Sequence, residues 1–157
     1  MAAILLDANA VIMHGRAFPD RVKNYQDTEY DLILPGSVKR ELVDDVLDTD
    51  PAPENHVRSA HAIQQLISDG QLTVREANYE LYGNVVDEAR RRIADDNLPE
   101  HAVKADQYIP ALVCELAKEG NVTLVTADKK LGAVTREIVD RRELSEYVSL
   151  RDPLTVL

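Results

Sequence analysis

The sequence predicts an α/β fold, a three-layer α/β/α sandwich around a central, mainly parallel sheet. Short, nearly continuous apolar runs recur along the chain, which is typical of strands that are buried on both faces. Segments with apolar residues at helical spacing separate these runs, and this alternation indicates parallel strands joined by helices. The length of 157 residues suits one domain, which we place at residues 1–157.

The first half of the chain begins with two buried strands, at 2–6 (AAILL) and 31–34 (DLIL). A Pro-Gly pair ends the second strand. Ser37 is then the expected N-cap of a helix that extends to about Asp48, because apolar residues recur there at four-residue spacing. The stretch 47–55 (LDTDPAPEN) contains two prolines and three acids, and we expect a loop there.

The second half of the chain alternates in the same way. Its predicted elements are, in order, a helix around 60–67, a strand at 72–74, helices at 79–95 and 105–118, a strand at 122–126, a helix at 130–142 and a strand at 147–150. The helices carry apolar residues three or four positions apart, whereas the strands are short apolar runs. Gly70 and Gly120 are expected to end two of the helices.

Composition excludes several classes of protein. The net charge of −10 argues against a broad basic surface for nonspecific DNA binding. The single cysteine excludes an internal disulfide and, with no secretory signal at the N-terminus, favours the cytoplasm. No apolar run reaches the length of a membrane span, so we expect no membrane association. His56 and His61 are five residues apart, and with one cysteine elsewhere they form no zinc signature.

Four acidic residues are predicted to converge at one edge of the sheet. Asp7 ends the first strand and Asp128 follows the strand at 122–126. Binding sites of parallel sheets form beyond the carboxyl ends of the strands. Asp106 shares a helix face with apolar residues in the first turn, and Glu41 borders the apolar stripe of its own helix. A helix that begins at the carboxyl end of a strand holds its first turn over the same crevice. We therefore expect all four carboxylates to lie in that crevice.

Four carboxylates in one small site oppose one another's ionisation. Either some of them stay protonated or a cation lies among them. Oxygen ligands select hard cations, so we expect one or two Mg²⁺ or Mn²⁺ ions. Such ions hold a phosphate oxygen and activate a water molecule for in-line attack. The acids therefore predict cleavage of a phosphodiester.

Four segments carry these acids in order: ILLDANAVI, LILPGSVKREL, VKADQYIPALVCELA and VTLVTADKKLG. With them the chain resembles the PIN-domain ribonucleases, including VapC-type toxins and free-standing archaeal relatives. The resemblance implies a metal-dependent endoribonuclease whose catalytic, metal-binding acids are Asp7, Glu41, Asp106 and Asp128. It also matches Asn9 and Thr126 to polar positions beside the metal ligands.

The resemblance further implies partners. The substrate would be single-stranded or structured RNA, and a toxin would have a cognate antitoxin protein. Family members commonly pair, so we expect a homodimer. Basic residues that flank two of the acids are the expected contacts to RNA phosphates; they are Lys39, Arg40, Lys129 and Lys130.

Each acid also has an interpretation in which it is only structural. Asp106 and Asp128 are suitable helix N-caps, and Glu41 is of a type usually found on exposed helix faces. The alternative to a nuclease is a catalytically silent PIN-like module that binds RNA or a partner protein. A cleavage assay on single-stranded RNA with added metal distinguishes the two.

Overall fold

The computed structural model describes residues 2–25 and 29–157. These residues form a five-stranded sheet in the order β3-β2-β1-β4-β5. The strands are β1 (Ala2–Leu6), β2 (Tyr30–Pro35), β3 (Thr73–Arg75), β4 (Val122–Val125) and β5 (Val148–Arg151). Every neighbouring pair is parallel. The predicted α/β class with a parallel sheet is therefore confirmed.

Helices cover the sheet in two packed groups. The helices are α1 (Ala8–Ile12), α2 (Phe18–Asn24), α3 (Gly36–Lys39), α4 (Asp45–Asp48), α5 (Glu54–Ser68), α6 (Tyr79–Ile93), α7 (Ile109–Glu119), α8 (Lys129–Arg141) and α9 (Pro153–Val156). Helix α5 packs against α2 and α4, whereas α6, α7 and α8 pack against one another. Right-handed crossovers between parallel strands place these groups on opposite faces of the sheet, which produces three layers.

The core lies between the central strands and both helical layers. Leu5, Leu6, Leu34 and Leu124 on β1, β2 and β4 are fully buried. Burying each such side chain contributes about 1.5–3 kcal/mol, which explains why most residues of these strands are apolar. Cys114 on α7 is buried in the same core. Within the described ranges, no helix has both the length and the apolar character needed to cross a bilayer.

Three short helices were not predicted from the sequence. Helices α1 and α9 are capped by Asp7 and Asp152, whose side chains accept N–H groups of their first turns. Helix α2 carries Pro19 in its first turn, where a missing N–H is harmless. Helices of four to seven residues are too short to produce a helical period in the sequence, so only their caps could have indicated them.

The helix after β2 corrects the prediction that Ser37 is an N-cap. Strand β2 extends to Pro35, which takes the N-cap position, and the helix begins at Gly36. Ser37 is buried, and its Oγ donates to the carbonyl of Ala105 at 3.2 Å. A π-helical turn, Arg40–Asp44, continues α3 into α4.

The helix predicted at 105–118 is divided in the structure. A 3₁₀ turn, Ala105–Tyr108, precedes α7. Pro110 explains the division, because it has no N–H to donate to the carbonyl of Asp106, as an uninterrupted α-helix would require. The N–H of Ile109 bonds that carbonyl instead. Asp106 therefore lies in a tight turn rather than in the first turn of an α-helix.

Candidate metal-binding and catalytic site

The carboxyl ends of β1 and β4 meet where the strand order of the sheet reverses. The chain runs from β1 outward to β2 and β3, and β4 and β5 lie on the other side of β1. A crevice opens at such a switch point. Asp7 directly follows β1, and its N–H donates to the carbonyl of Val125 at 3.2 Å. This bond places Asp7 beside Thr126, at the end of β4.

Asp7 is a buried carboxylate with both oxygens engaged. It is 1% exposed. Its Oδ1 accepts the N–H of Ala10 at 2.9 Å, and its Oδ2 accepts a short hydrogen bond from the Thr126 hydroxyl. Burial raises the pKa of Asp7, and the charge of Asp128 raises it further. Hydrogen bonds from the Thr126 hydroxyl and from the N–H groups of Ala10 and Asn9 lower the pKa, but the net shift is upward. Asn9 therefore acts on Asp7 through its backbone.

Thr126 links Asp7 to Asp128. The N–H of Asp128 donates to Thr126 Oγ1 at 3.0 Å. Asp128 Oδ1 caps α8 by accepting the N–H groups of Lys130 and Leu131 at 2.9 and 3.1 Å. The interpretation of Asp128 as an N-cap is thus correct. The cap occupies one oxygen, and Oδ2 has no hydrogen bond to any described residue, so capping leaves it available to a ligand.

Asp106 is the most strongly perturbed acid of the crevice. Burial, followed by the charges of Asp128, Asp7 and Glu41, raises the pKa of its carboxyl to about 6. Its side chain makes no hydrogen bond within residues 2–25 and 29–157, and it is not an N-cap. The interpretation of Asp106 as a cap is therefore wrong, since the turn places its carboxylate among the other three acids.

Glu41 lies in the π-helical turn and is half-buried. Its carboxylate has no hydrogen bond or ion pair within the described part of the chain. π-Helical turns inside α-helices are frequent at functional sites, because the extra residue redirects side chains. The Ser37 bond to Ala105 ties this helix to the turn that carries Asp106. The sequence did not predict this positioning role, because Ser37 in the order Pro-Gly-Ser before an apolar period is typical of an N-cap.

The four acids lie close enough for the charges of Asp128, Asp7 and Glu41 to act on Asp106, but they do not form a closed cluster. Among the described residues, no three His, Cys, Asp or Glu side chains are arranged as a ready metal-binding cluster. Burial and then the charges of the three other acids nevertheless raise the pKa of Asp106. The carboxylates of Asp7 and Asp128 accept hydrogen bonds from backbone N–H groups, and Asp7 also accepts one from the Thr126 hydroxyl. The carboxylates of Asp106 and Glu41 accept no hydrogen bond from any described residue. Such crowding of oxygen ligands fits a hard divalent cation, which would relieve the repulsion.

Three of the four basic residues predicted to contact RNA are already paired with acids. The ion pairs are Lys39–Asp44 at 2.7 Å, Arg40–Glu76 at 2.6 Å and Lys130–Asp95 at 2.9 Å. Lys129 is exposed and has no ion pair within the described ranges. Of the four, Lys129 beside Asp128 is thus the one whose charge no described acid neutralises.

A largely apolar groove of about 690 Å³ adjoins Glu41. Its walls come from α1, the turn around Arg40–Asp44, α4 and α5, and include Val11, Ile12, Leu42, Val46, Ala62 and Ile63. Ile12 is largely exposed at its edge. The groove is therefore an apolar surface that reaches one acid of the crevice.

Comparisons with known proteins agree with this architecture. VapBC-1 from nontypeable Haemophilus influenzae is 18% identical with a TM-score of 0.56, over 97% of this chain and 98% of that chain. VapBC2 from Rickettsia felis, bound to a DNA fragment from their promoter, is 15% identical with a TM-score of 0.54, over 96% and 98%. FitAB bound to the IR36 DNA fragment is 17% identical with a TM-score of 0.53, over 96% and 94%. At these identities the likeness concerns the fold.

The family of the chain follows from its sequence. A search among curated proteins finds no match. A family model described as the halobacterial PIN domain matches residues 1–157. The resemblance to PIN domains in the sequence is thereby confirmed, and the chain belongs to the halobacterial PIN domain family.

Proposed function

We propose that the chain is a divalent-metal-dependent endoribonuclease, with residues 1–157 acting as one cytoplasmic nuclease domain. PIN domains are generally nucleases. The environment of Asp106 carries the proposal, because burial and then the charges of three other carboxylates raise its pKa to about 6. A fold that assembles unneutralised acids at a switch point sacrifices stability there, and a bound cation would reverse that loss.

Asp7, Asp106 and Asp128 are the proposed ligands of Mg²⁺ or Mn²⁺, with Glu41 binding directly or through water. One or two such ions supply polarisation of the phosphoryl oxygen and activation of a water molecule. Thr126 holds Asp7 in one orientation through its hydroxyl. Asp128 offers Oδ2 while its other oxygen caps α8. Thr126 is therefore a positioning residue, and Asn9 contributes its backbone N–H to the same purpose.

Substrate binding depends on local charge, since the chain carries a net charge of −10. Lys129 is exposed beside Asp128 and is the first proposed phosphate contact. The other three basic residues must leave their ion pairs with acids before they can bind a phosphate; they are Lys39, Arg40 and Lys130. Exposed ion pairs are worth about 0–1 kcal/mol, so this exchange is inexpensive.

The test is cleavage of a labelled single-stranded RNA by the purified chain with Mg²⁺, Mn²⁺ or EDTA. We expect cleavage with either metal and none with EDTA. Asp7→Asn removes a charge but keeps the shape, so cleavage should fall by orders of magnitude while circular dichroism shows an intact fold. Equal cleavage by the wild type and by folded Asp7→Asn would overturn the assignment.

A catalytically silent PIN-like module is the second candidate. One observation favours it: the described acids form no ready metal-binding cluster. Calorimetric titration with Mn²⁺ separates the candidates. If the chain is a nuclease, the wild type binds Mn²⁺ and the Asp106→Asn variant does not. If the chain is a silent module without a metal site, neither the wild type nor the variant gives heat of binding, and RNA stays intact.

An antitoxin protein is the proposed partner. The similar structures of VapBC-1 and VapBC2 motivate this proposal. The apolar groove beside Glu41 suits an apolar segment that ends in a basic residue, because such a segment would bury Ile12 and neutralise Glu41. Co-purification with the product of an adjacent gene, lost in Ile12→Asp, tests it. Retention of the complex in that variant would argue against the groove.

The chain is also proposed to form a homodimer, which would join two acidic crevices into a longer RNA-binding surface. Light scattering at micromolar concentration should give twice the mass of one chain. A single-chain mass at and above that concentration would refute the dimer.

A further inference from the structure

Two tyrosines form a pair at the turn that carries Asp106, and the cleavage chemistry proposed above does not use them. Tyr79 begins α6, and Tyr108 ends the 3₁₀ turn that carries Asp106. Their ring centroids are 5.5 Å apart and the ring planes are tilted by 57°. Tyr79 is 40% exposed, although it packs against Tyr108. An aromatic ring that is held on one side and open on the other is suited to stacking.

Arg40 accompanies the aromatic pair. Its side chain is 52% exposed and binds Glu76 at 2.6 Å. Burial and then Glu76 raise the pKa of the Tyr79 hydroxyl, whereas Arg40 lowers it, so this cation lies near the ring. Arg40 directly precedes Glu41 in the π-helical turn. One guanidinium therefore lies near the aromatic pair, on the helical segment that also carries Glu41.

The cluster lies at the same edge of the sheet as the acids. Glu76 follows β3 and α3 follows β2, so both lie at carboxyl ends of parallel strands. Asp7 and Thr126 occupy the ends of the next two strands, β1 and β4. Along this edge, the tyrosines and Arg40 lie beside the ends of β3 and β2, and Asp7, Asp128 and Lys129 follow at the ends of β1 and β4. An extended polymer along the edge would meet them in turn.

We propose that Tyr79, Tyr108 and Arg40 form a nucleobase subsite beside the cleavage site, in which an RNA base stacks on Tyr79. Arg40 leaves Glu76 and contacts the phosphate of the same nucleotide. This proposal rests on the proposed function, since the subsite serves the RNA that the acids cleave. Stacking tolerates every base, because each base has an aromatic face. The subsite would therefore position the strand without selecting a sequence.

The acids near the tyrosines do not oppose an RNA strand strongly. Glu115 accepts the N–H of Asn78 at 2.9 Å and binds Arg75. Glu76 is bound by Arg40. Each carboxylate thus has a cationic partner, and freeing Arg40 breaks one exposed ion pair, which is a weak interaction.

The test compares two labelled oligonucleotides, a ten-residue oligouridylate and the same ribose-phosphate chain without bases. Binding is measured by fluorescence anisotropy in EDTA, where a metal-dependent nuclease leaves RNA intact. Wild type should prefer the base-bearing RNA by at least about five-fold, the lower limit for one stacked base. Tyr79→Ala should lose this preference and Tyr79→Phe should keep it. A ring that only packs against Tyr108 would not affect the preference.

Tyr147→Ala is the matched control. Tyr147 is 42% exposed and precedes β5, at the opposite edge of the sheet. It should keep the wild-type preference. The subsite is overturned if wild type shows no preference, including the case in which it binds neither oligonucleotide, or if Tyr79→Ala retains the preference.

Charge variants test the role of Arg40. Glu76→Gln removes the acid that holds Arg40, so binding of both oligonucleotides should tighten by about two- to five-fold. Arg40→Ala should weaken both equally. Unchanged or weaker binding by Glu76→Gln would contradict the exchange of partners.

Cleavage in Mn²⁺ separates this proposal from the proposed function. Cleavage by a wild type that has no preference for bases overturns the subsite alone. A base preference that depends on Tyr79, without cleavage, overturns the nuclease and supports the subsite.

Discussion

Asp106→Asn is expected to stabilise the metal-free fold while it abolishes cleavage. Burial and three neighbouring carboxylates raise the pKa of Asp106 from 3.8 to about 6. Because the folded-state pKa exceeds the unfolded one, the fold binds this proton more tightly than the unfolded chain does. The resulting stabilisation is fully present below about pH 4 and is lost as the pH rises through about 6. Above pH 7 the ionised Asp106 therefore reduces the free energy of unfolding.

The magnitude follows from the two pKa values. At about 1.4 kcal/mol per pKa unit, the difference corresponds to about 3 kcal/mol. Asp106 is half-buried, and solvent screening lowers this to about 1–2 kcal/mol. Asparagine has nearly the same shape and does not ionise. The variant should gain that amount over wild type at pH 8, and the gain should shrink toward zero near pH 4.

The assay is urea unfolding followed by circular dichroism, in EDTA and at fixed KCl, from pH 4 to pH 8. Asp45→Asn, at an exposed acid on α4, is the control and should change stability little. Mn²⁺ at about 100 times its dissociation constant should stabilise wild type by about 2.7 kcal/mol and the Asp106→Asn variant by less. An Asp106→Asn variant that gains nothing at pH 8, or gains equally at pH 4, would refute the electrostatic reasoning.

Three further outcomes are expected. Thr126→Val leaves a buried oxygen of Asp7 without its hydrogen-bond donor and should lower the free energy of unfolding at pH 7 by about 1–3 kcal/mol. Thr126→Ser keeps the hydroxyl and should be as stable as wild type, so equal stability of Thr126→Val and wild type in urea unfolding would contradict the prediction. Ser37→Ala should cost about 1 kcal/mol and weaken Mn²⁺ binding in calorimetry, because the turn at Ala105 loses its tie to α3; unchanged Mn²⁺ affinity would argue against a positioning role. Raising KCl from 0.1 to 1 M shortens the screening length from about 10 to about 3 Å and should raise the melting temperature, because the acidic surface repels itself less; a fall in scanning calorimetry would show that the charge reasoning is wrong.

The sequence determined the layers of the fold through local patterns. Most residues of β1, β2 and β4 are buried, so these strands contain short, nearly continuous apolar runs and can be identified individually. The longer helices α5, α6 and α8 have one buried face each, which produces the helical spacing of apolar residues. Asp7 and Asp128 could be identified because each directly follows such a strand.

Short elements and mixed helices escaped the same reasoning. Helices α1 and α9 are shorter than two turns, so no period exists to detect. The 3₁₀ turn before α7 depends on the missing N–H of Pro110. The π-helical turn around Glu41 keeps the four-residue apolar spacing that predicts an ordinary helix. Boundaries set by single hydrogen bonds are invisible to a pattern of hydrophobicity.

Tertiary structure decided the partners of the polar side chains. Thr126 bonds Asp7 from 119 positions away, and Ser37 bonds Ala105 from 68 positions away. Lys130 pairs with Asp95 from 35 positions away. A sequence pattern records whether a residue faces the core or the solvent, because that depends on its own element. Which side chains meet depends on the strand order and the packing of distant elements. The sequence therefore predicted that the acids share one edge of the sheet, whereas only the folded chain showed the ion pairs of the basic residues and the pairing of the two tyrosines.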